Sequence, residues 1–314
     1  MNGSIAVVGG VNIDVGARSF SPLVSGDSNP GVICSSLGGV GRNIAHNLAL
    51  LGADVTLVTA LGGDDGARRV RESCRSLGID LRGTLTAPDA STGSYLYICA
   101  PDGDMAMAVS DMEIYERLTP AYLATVLPIL NGASLVALDA NLPAPSLDFL
   151  AAHCTAPLFA DPVSAAKAPR LRGVLGRLHT LKPNRIEAAA LSGVPITDEE
   201  SLLRAVDALL ETGLRRVFLT LGQDGILAAE GRARIRLPNP PVTRRVNASG
   251  CGDAFTAALC WAALRGAGLE ESARCALAAA SVAMESAETV NPDMSEDMIR
   301  SRMENHIAYF ESLS

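Results

Sequence analysis

The sequence predicts an α/β protein with a mostly parallel central sheet between two layers of helices. Of its 314 residues, 48% are hydrophobic and 19% are charged, which is enough to bury a large core. The candidate strands are continuous apolar runs, as expected when both faces of a sheet are covered. They alternate with stretches of helical periodicity, which is typical of doubly wound folds. These strands span residues 5–8, 55–60, 135–138, 158–160 and 217–220.

The helical stretches mostly end at glycine. Gly78 and Gly213 follow two of them, at positions where a helix C-terminus commonly takes the left-handed conformation. The Ala-rich region 253–285 is predicted to form two packed helices separated near residues 266–268. The other predicted helices span residues 43–51, 67–77, 120–130, 186–191 and 199–211.

Two segments interrupt this alternation. Residues 14–37 are rich in Ser, Gly and Pro and show no helical period. Residues 91–110 contain two short alternating runs around a Pro-Asp-Gly turn, a pattern typical of a β-hairpin. We therefore expect one α/β domain over residues 1–314, with a small β-sheet lid inserted at approximately 14–36 and 91–110.

Composition limits the classes of partner. The formal net charge of −8 argues against binding of nucleic acid polymers, because affinity for a phosphate backbone comes from clustered Lys and Arg. The seven cysteines include no Cys-x-x-Cys pair, which argues against a disulfide framework and a zinc site. Residues 1–10 lack the features of a signal peptide, and no apolar run approaches the length of a membrane span. We expect a soluble, reduced, cytoplasmic protein.

The most informative segment is 247–253, where Gly250 and Gly252 precede a long Ala/Leu-rich helix. The first N–H groups of a helix have no carbonyl partner within it and lie at the positive end of its dipole, so they attract phosphate. Asp253 lies where this anion site opens, and a carboxylate there suits a base for an attacking hydroxyl. Asp is also a common helix cap, so a purely structural role for Asp253 stays open.

A second glycine cluster, Gly38-Gly39-Val40-Gly41, precedes another predicted helix that contains Asn43. A dinucleotide-binding turn would follow the first strand directly, whereas this cluster lies some 25 residues later. Its glycines permit close approach of the backbone to a ligand, or form a plain tight turn. Asn12 and Asp14 follow the first strand at the sheet edge where α/β proteins bind ligands, and Asp14 is suited to accept hydrogen bonds from a sugar diol.

Two further motifs have both a functional and a structural interpretation. Asn184 and Glu187 are three residues apart, so oxygen ligands on one helix face would hold water around Mg²⁺. A capping box explains the same pair equally well. The segment 220–225 is a turn after a strand, and it is also placed to shape a nucleotide pocket.

In order and spacing, these segments resemble the ribokinase-like (PfkB) family of carbohydrate and nucleoside kinases over nearly the whole chain. The resemblance implies a three-layer α/β/α sandwich with a β-sheet lid, and phosphorylation of a sugar hydroxyl that depends on ATP and Mg²⁺. The segments that carry it are 9–14, 38–43, 182–187, 220–222 and 250–253. Four segments are most similar to members that phosphorylate the 5′-hydroxyl of pseudouridine, namely 27–31, 39–45, 110–112 and 179–185.

The resemblance also implies roles for individual residues. Asp253 corresponds to the catalytic base, and the backbone amides of Gly250, Cys251 and Gly252 to the anion hole. The substrate-binding positions are Asn12, Asp14, Gly38, Gly39 and Asn43, with Ser28, Asn29, Thr92 and Asp111 toward the base. The nucleotide-binding positions are Asn184, Thr220, Gly222, Gly225 and Asn247. Asn184 and Glu187 would organise Mg²⁺ through water, and the lid would form a homodimer.

The sequence departs from the family pattern at Asn247, where many members carry Asp. Loss of that carboxylate weakens any monovalent-cation site, which argues against activation by K⁺. A helix N-terminus lowers a thiol pKa, so Cys251 also suggests a reactive cysteine. We interpret Cys251 as a small packing residue, because phosphoryl transfer needs its N–H and not its sulfur.

Three alternatives to a pseudouridine kinase follow from the same residues. The first is a kinase for another sugar or nucleoside, such as ribose, adenosine or fructose. The second is a catalytically silent nucleoside-binding protein, against which the presence of Asp253, Asn184 and Glu187 argues. A dehydrogenase is the weakest alternative, because the turn after the first strand lacks the spaced glycines.

Overall fold

The computed structural model describes residues 3–242 and 244–311, with side chains described as far as residue 305. Eight strands form the central sheet in the order β14-β13-β12-β11-β10-β9-β1-β4. Pairing is parallel from β4 through β12 and antiparallel for β13 and β14. The strands are β1 Ser4–Val8, β4 Asp54–Val58, β9 Leu135–Asp139, β10 Leu158–Asp161, β11 Thr180–Leu181, β12 Arg216–Thr220, β13 Ile226–Glu230 and β14 Ala233–Leu237.

A separate small sheet contains four strands in the order β3-β2-β7-β8. These strands are β2 Asn12–Ser19, β3 Gly31–Gly38, β7 Ser94–Cys99 and β8 Met105–Asp111. The hairpin expected within 91–110 is present, since β7 and β8 pair antiparallel. A two-stranded sheet joins β5 Ala60–Gly62 to β6 Leu85–Ala87.

The helices of the described chain are α1 Val40–Leu50, α2 Asp65–Ser76, α3 Pro120–Asn131, α4 Ala144–His153, α5 Arg185–Ser192, α6 Glu199–Glu211, α7 Cys251–Leu264, α8 Leu269–Ala283 and α9 Glu296–Glu311. Short 3₁₀ segments lie at Glu113–Arg117, Ala168–Arg177 and Gly222–Asp224. The two Ala-rich helices expected over 253–285 are confirmed as α7 and α8. Gly78 and Gly213 take the left-handed conformation expected after a helix, with φ of 70° and 100°.

The central sheet separates two apolar cores, because alternate residues of each strand point to opposite faces. Ile5 and Val7 of β1 pack with α1, α7 and α8. Ala6 and Val8 of the same strand pack with α3, α4, α5 and α6. This arrangement confirms the predicted α/β class, with helices on both faces of a mostly parallel sheet and a second, smaller sheet.

The structure corrects several element boundaries. The strand expected over 55–60 ends at Val58, and Ala60 begins β5, which pairs with β6 outside the central sheet. The hairpin of β13 and β14 was missed, because an antiparallel edge departs from the βα alternation used to find strands. Helix α4 was missed because Pro143 at its N-cap and Pro145 in its first turn resemble a loop. Strand β11 and helix α9 were also missed.

Two general expectations can be compared with the structure. Among the described helices, none combines the length and apolarity required to cross a membrane. All seven cysteines are free thiols, in agreement with the absence of a disulfide framework.

Candidate active site

The carboxyl edge of the central sheet gathers polar residues from four neighbouring strands. Asn12 lies beyond β1, Asp139 ends β9, Asp161 ends β10, and Lys182 follows β11. All four side chains are buried. Parallel strands end at the same edge, so the topology brings together residues that are far apart in sequence.

Asp139 holds the turn after β1 against the first turn of α1. It is fully buried, and its Oδ2 accepts hydrogen bonds from the backbone N–H groups of Gly10 (2.7 Å) and Gly41 (2.8 Å). Its Oδ1 accepts from the N–H of Asn141 at 2.9 Å. Burial raises the pKa of Asp139, and these hydrogen bonds oppose the rise. Asp139 therefore fixes the two glycine-rich segments relative to each other.

The second glycine cluster is a tight turn pressed against the first. Gly39 is the N-cap of α1 with a φ of 96°, and a Cβ there would lie 2.4 Å from the carbonyl oxygen of Gly10. A Cβ on Gly38 would lie 2.1 Å from Oδ2 of Asp14. Asn12 donates to Oδ1 of Asp14 at 2.5 Å. The cluster is thus a tight turn that leaves room for the Asp14 carboxylate, and close approach of a ligand to its backbone stays a prediction.

Asp253 is not the cap of its helix. Gly250 is the N-cap of α7, with a φ of 80°, and it makes no side-chain capping hydrogen bond. A Cβ on Gly250 would lie 1.8 Å from the carbonyl oxygen of Thr289, so only glycine fits at this position. Asp253 lies in the first turn of α7, and its Oδ2 accepts a hydrogen bond from Nδ2 of Asn43 at 2.8 Å.

The surroundings of Asp253 favour its protonated form. Burial and the neighbouring carboxylate of Asp161 raise the pKa of Asp253 to about 7, against the hydrogen bond from Asn43 and the charge of Lys182. A carboxyl group with a pKa near neutral pH is well suited to take up a proton during a reaction. Burial raises the pKa of the Cys251 thiol to about 11, which agrees with a packing role and argues against a reactive thiolate.

A buried ion pair lies directly beneath the glycine loop. Nζ of Lys182 is 2.9 Å from Oδ2 of Asp161, and this oxygen also accepts from the hydroxyl of Thr256 at 2.9 Å. A Cβ on Gly252 would lie 3.0 Å from Nζ of Lys182. Burial lowers the pKa of Lys182, but attraction by Asp161 outweighs it and the net pKa is raised. The ammonium group is thus charged and adjacent to the start of α7.

A cavity of about 450 Å³ opens on the other side of the same loop. Cys251, Gly252 and Phe255 of α7 form part of its wall. Four of the expected nucleotide-binding residues line it, namely Thr220, Gly222, Gly225 and Asn247. Asn184 does not belong to this lining. Strand β12 and helix α7 therefore place the predicted turn and the predicted anion site around one cavity.

Asn184 and Glu187 form the capping box that was one of their two interpretations. Oδ1 of Asn184 accepts from the N–H of Glu187, and Oε2 of Glu187 accepts from the N–H of Asn184, both at 2.9 Å. Burial raises the pKa of Glu187. Within the described residues, no cluster of three or more His, Cys, Asp or Glu side chains forms a ready metal cage.

The four residues expected near the base are dispersed. The side-chain amide of Asn29 accepts from the N–H of Val24 and donates to the carbonyl oxygens of Val24 and Asp27. Ser28 lies beside it in the exposed loop between β2 and β3. Thr92 is buried and donates to Asp64 at 2.7 Å. The strand register puts Asp111 on the face of the small sheet opposite to Asp14.

The sequence reasoning missed three charged residues of this edge. Asp139 and Asp161 directly follow the predicted strands 135–138 and 158–160, and that position alone was a usable signal, since the carboxyl ends of parallel strands form ligand sites. Arg42 is buried beside Asn43. The sequence did not indicate this, because a charged residue on a helix usually faces solvent.

Comparison with known proteins agrees with this geometry. The family model "pfkB family carbohydrate kinase" matches residues 2–296. The chain belongs to the pfkB family of carbohydrate kinases. It is 36% identical to the pseudouridine kinase of Escherichia coli (strain K12) over 304 residues, covering 96% of each chain. It is 35% identical to the uncharacterized sugar kinase YeiI of the same organism, covering 93% of this chain and 81% of that protein.

The fold has close counterparts among solved structures. The ribokinase of Arabidopsis thaliana, solved with ribose and ATP, superimposes with a TM-score of 0.85 at 23% identity, covering 97% of this chain and 99% of that one. This kinase therefore has the ribokinase-like fold, and as a pfkB member it is a sugar or nucleoside kinase.

Proposed function

We propose that this kinase transfers the γ-phosphoryl group of ATP to the 5′-hydroxyl of pseudouridine. The observation that carries the transfer step is Asp253, a carboxyl group with a pKa of about 7 in the first turn of α7. It follows Gly252 of the cavity wall and is hydrogen-bonded to Asn43 of α1. The similarity to the pseudouridine kinase of E. coli supports the choice of nucleoside.

The reaction follows from the placement of Asp253. The carboxylate accepts the proton of the 5′-hydroxyl while that oxygen forms a bond to the γ-phosphorus and the bond to the β,γ-bridging oxygen breaks, leaving ADP. The backbone N–H groups of residues 250–252, at the N-cap and first turn of α7, would stabilise the charge that develops on the phosphoryl oxygens. The ammonium group of Lys182, beneath Gly252, adds a fixed positive charge at the same place.

The nucleoside side is assigned to the edge formed by β1, β2 and α1. Asn12 and Asp14 would bind the ribose hydroxyls, with Gly38 and Gly39 giving the sugar close access to the backbone. Burial raises the pKa of Asp14, while the hydrogen bond from Asn12 and the charge of Arg42 lower it. Asn12 and Arg42 thus favour the ionised Asp14 carboxylate, which would accept hydrogen bonds from a ribose diol.

The residues near Glu187 fit a magnesium ion held largely by water and phosphate. The capping box uses Oε2 of Glu187. Among the described residues, no group of three or more His, Cys, Asp or Glu side chains could hold a metal ion by itself. Mg²⁺ commonly keeps several waters and few protein ligands in such sites. When bound with ATP, Mg²⁺ neutralises phosphate charge, and Asn184 with Glu187 would hold its water shell.

We further infer that the small sheet is a lid that pairs with the lid of a second copy of the chain. Its face opposite to Asp14 is apolar and exposed, with Ile33, Leu96, Met107 and Val109 between 43% and 74% exposed. A contiguous exposed apolar face on one sheet is typical of a protein interface.

Steady-state kinetics with Mg-ATP test the proposal. Purified protein should phosphorylate pseudouridine with a kcat/KM well above the values for uridine, ribose, adenosine and fructose. A clear preference for ribose or another sugar would reject the assigned substrate and leave the kinase assignment intact. Absence of turnover with all of these substrates would favour the catalytically silent alternative.

A further inference from the structure

Arg42 is a buried arginine that lies between the small sheet and the catalytic base. Its side chain is 7% exposed, and it follows the glycine turn in the first turn of α1. Nη1 donates to the carbonyl oxygen of Leu37 in β3 at 3.1 Å and to Oδ1 of Asn43 at 3.4 Å. Nη2 donates to the hydroxyl of Ser73 in α2 at 3.1 Å.

The contact with Arg42 decides which way the Asn43 amide points. A guanidinium group has only donors, so it must face the amide oxygen and not the amide nitrogen. The NH₂ group of Asn43 is thereby turned toward Asp253, to which it donates at 2.8 Å. Asn47 donates to the backbone carbonyl of Asn43 at 2.8 Å and leaves this side-chain amide undisturbed.

We propose that Arg42 is a positioning residue for phosphoryl transfer, which holds the Asn43 amide with its NH₂ group toward Asp253 and ties this arrangement to the small sheet through Leu37. The proposal rests on the proposed function of Asp253 as the base. It gives Asn43 a contact with the base in addition to the ribose contact that the family resemblance implies.

The physical consequence concerns the ionised state of Asp253. An amide NH₂ group bonds to a carboxylate, whereas a flipped amide offers its oxygen to a protonated carboxyl group. Without Arg42 the flipped arrangement becomes accessible, so the protonated form of Asp253 gains a partner and its pKa rises. The charged or titratable groups that face Asp253 are Asp161 on β10, Asp139 on β9, Lys182 after β11 and Cys251 on its own helix. Arg42 is not among them, so its removal acts on Asp253 through Asn43. Arg42 also faces Asp14 and lowers the pKa of that carboxyl group, so the NMR titration of Asp253 described below separates the effect on the base from the effect on Asp14.

The test compares Arg42→Met with the wild type. The base must be ionised, so kcat/KM falls as pH drops through the pKa of Asp253 in the free enzyme, near 7. Arg42→Met should move this acidic limb upward by about one pH unit. At pH 9, where Asp253 and Asp14 are both ionised, any remaining loss of kcat/KM reports the weaker hold on Asp14. Arg42→Lys, which keeps the charge and one donor, should move it less. If Arg42→Met does not fold, Arg42→Gln takes its place. Its amide keeps a polar group in the buried site but ends two bonds short of the position of Nη1, so it cannot hold the Asn43 oxygen. An unmoved limb in this variant would overturn the proposal.

Arg69→Met is the matched control. Arg69 of α2 also bonds to β3, through Ser35 at 2.9 Å, but it does not contact Asn43 in the described hydrogen bonds. It should leave the acidic limb in place. A shift of equal size in Arg69→Met would mean that any loosening of the small sheet moves the limb, and would overturn the role of Arg42.

A double-mutant cycle gives the second criterion. In an Asn43→Ala background, Arg42→Met should cause no further shift, because the two residues act as one unit. Titration of the Asp253 carboxyl by ¹³C NMR, assigned with Asp253→Asn, reports the same shift without turnover. A wild-type enzyme inactive on pseudouridine would reject the proposed function, whereas an unmoved NMR titration in Arg42→Met would reject only the present proposal.

Discussion

All five residues of β9 in the central sheet are buried, whereas all seven residues of β8 in the small sheet are exposed. In β9 even the charged Asp139 is enclosed, and three backbone N–H groups satisfy its carboxylate. In β8 the apolar side chains of Met105, Met107 and Val109 are about 60% exposed. Each strand thus contains an exception to the usual relation between polarity and burial, namely a buried carboxyl group in β9 and exposed apolar side chains in β8.

This difference corresponds to two proposed roles, namely catalysis at the edge of the central sheet and association through the small sheet. The edge of the central sheet is a fixed set of buried charges, each held by partners within the chain. The small sheet has polar residues of the site on one face and an apolar face without cover in the described chain. Substitutions at the sheet edge should therefore affect chemistry and folding, whereas substitutions on the apolar face should affect association.

The largest effect is expected at Asp253. Asp253→Asn removes the proton acceptor but keeps the size of the side chain, so kcat should fall by about 10³-fold or more. Binding of the nucleoside, measured by calorimetry, should stay within a few-fold of the wild type, because Asp253 is not assigned to the ribose. A variant that keeps substantial turnover would contradict the assignment of the base.

The second effect is on stability, at the contrasting strand β9. Asp139→Ala leaves three buried N–H donors without their acceptor, and we expect the free energy of unfolding to fall by about 3 kcal/mol. The removal of a buried charge offsets part of the loss. Urea denaturation measures the change. Asp54→Ala, at the exposed start of the edge strand β4, is the control and should change stability by less than about 0.5 kcal/mol.

Sequence reasoning was most successful where one local pattern determines the structure. The strands at 5–8 and 135–138 are continuous apolar runs, and the loop at 250–253 combines glycines with a helix start, so each could be predicted from a few adjacent residues. The contact between Asn43 and Asp253 spans 210 positions and depends on how α1 and α7 pack, which no local pattern records. The pair of Lys182 with Asp161 likewise depends on the order of strands.

The third effect tests the exposed face of the small sheet. Met107→Glu places a charge on this face, and we expect it to convert a dimer to a monomer in light scattering coupled to gel filtration. Because Met107 is 60% exposed within one chain, the unfolding free energy of the monomer should change by less than about 0.5 kcal/mol. Ala108→Glu, on the opposite face by register, should leave association unchanged. A wild-type chain that is monomeric at all concentrations would contradict the proposed lid dimer.

The smallest effect on kcat is expected for removal of K⁺, and it concerns the loop before α7. Oδ1 of Asn247 accepts from the N–H of Ser249 at 2.9 Å, and its Nδ2 donates to the carbonyl oxygen of Ala287 at 3.2 Å. The carbonyl oxygen of Ala287 thus already accepts from an NH₂ group, and no carboxylate at position 247 offsets the cost of desolvating an ion. Exchange of K⁺ for choline should change kcat by less than about twofold. Asn247→Asp keeps the bond to Ser249 and supplies the charge, so this variant should gain stimulation by K⁺. Strong K⁺ activation of the wild type would show that backbone carbonyls alone suffice for a cation site in this loop.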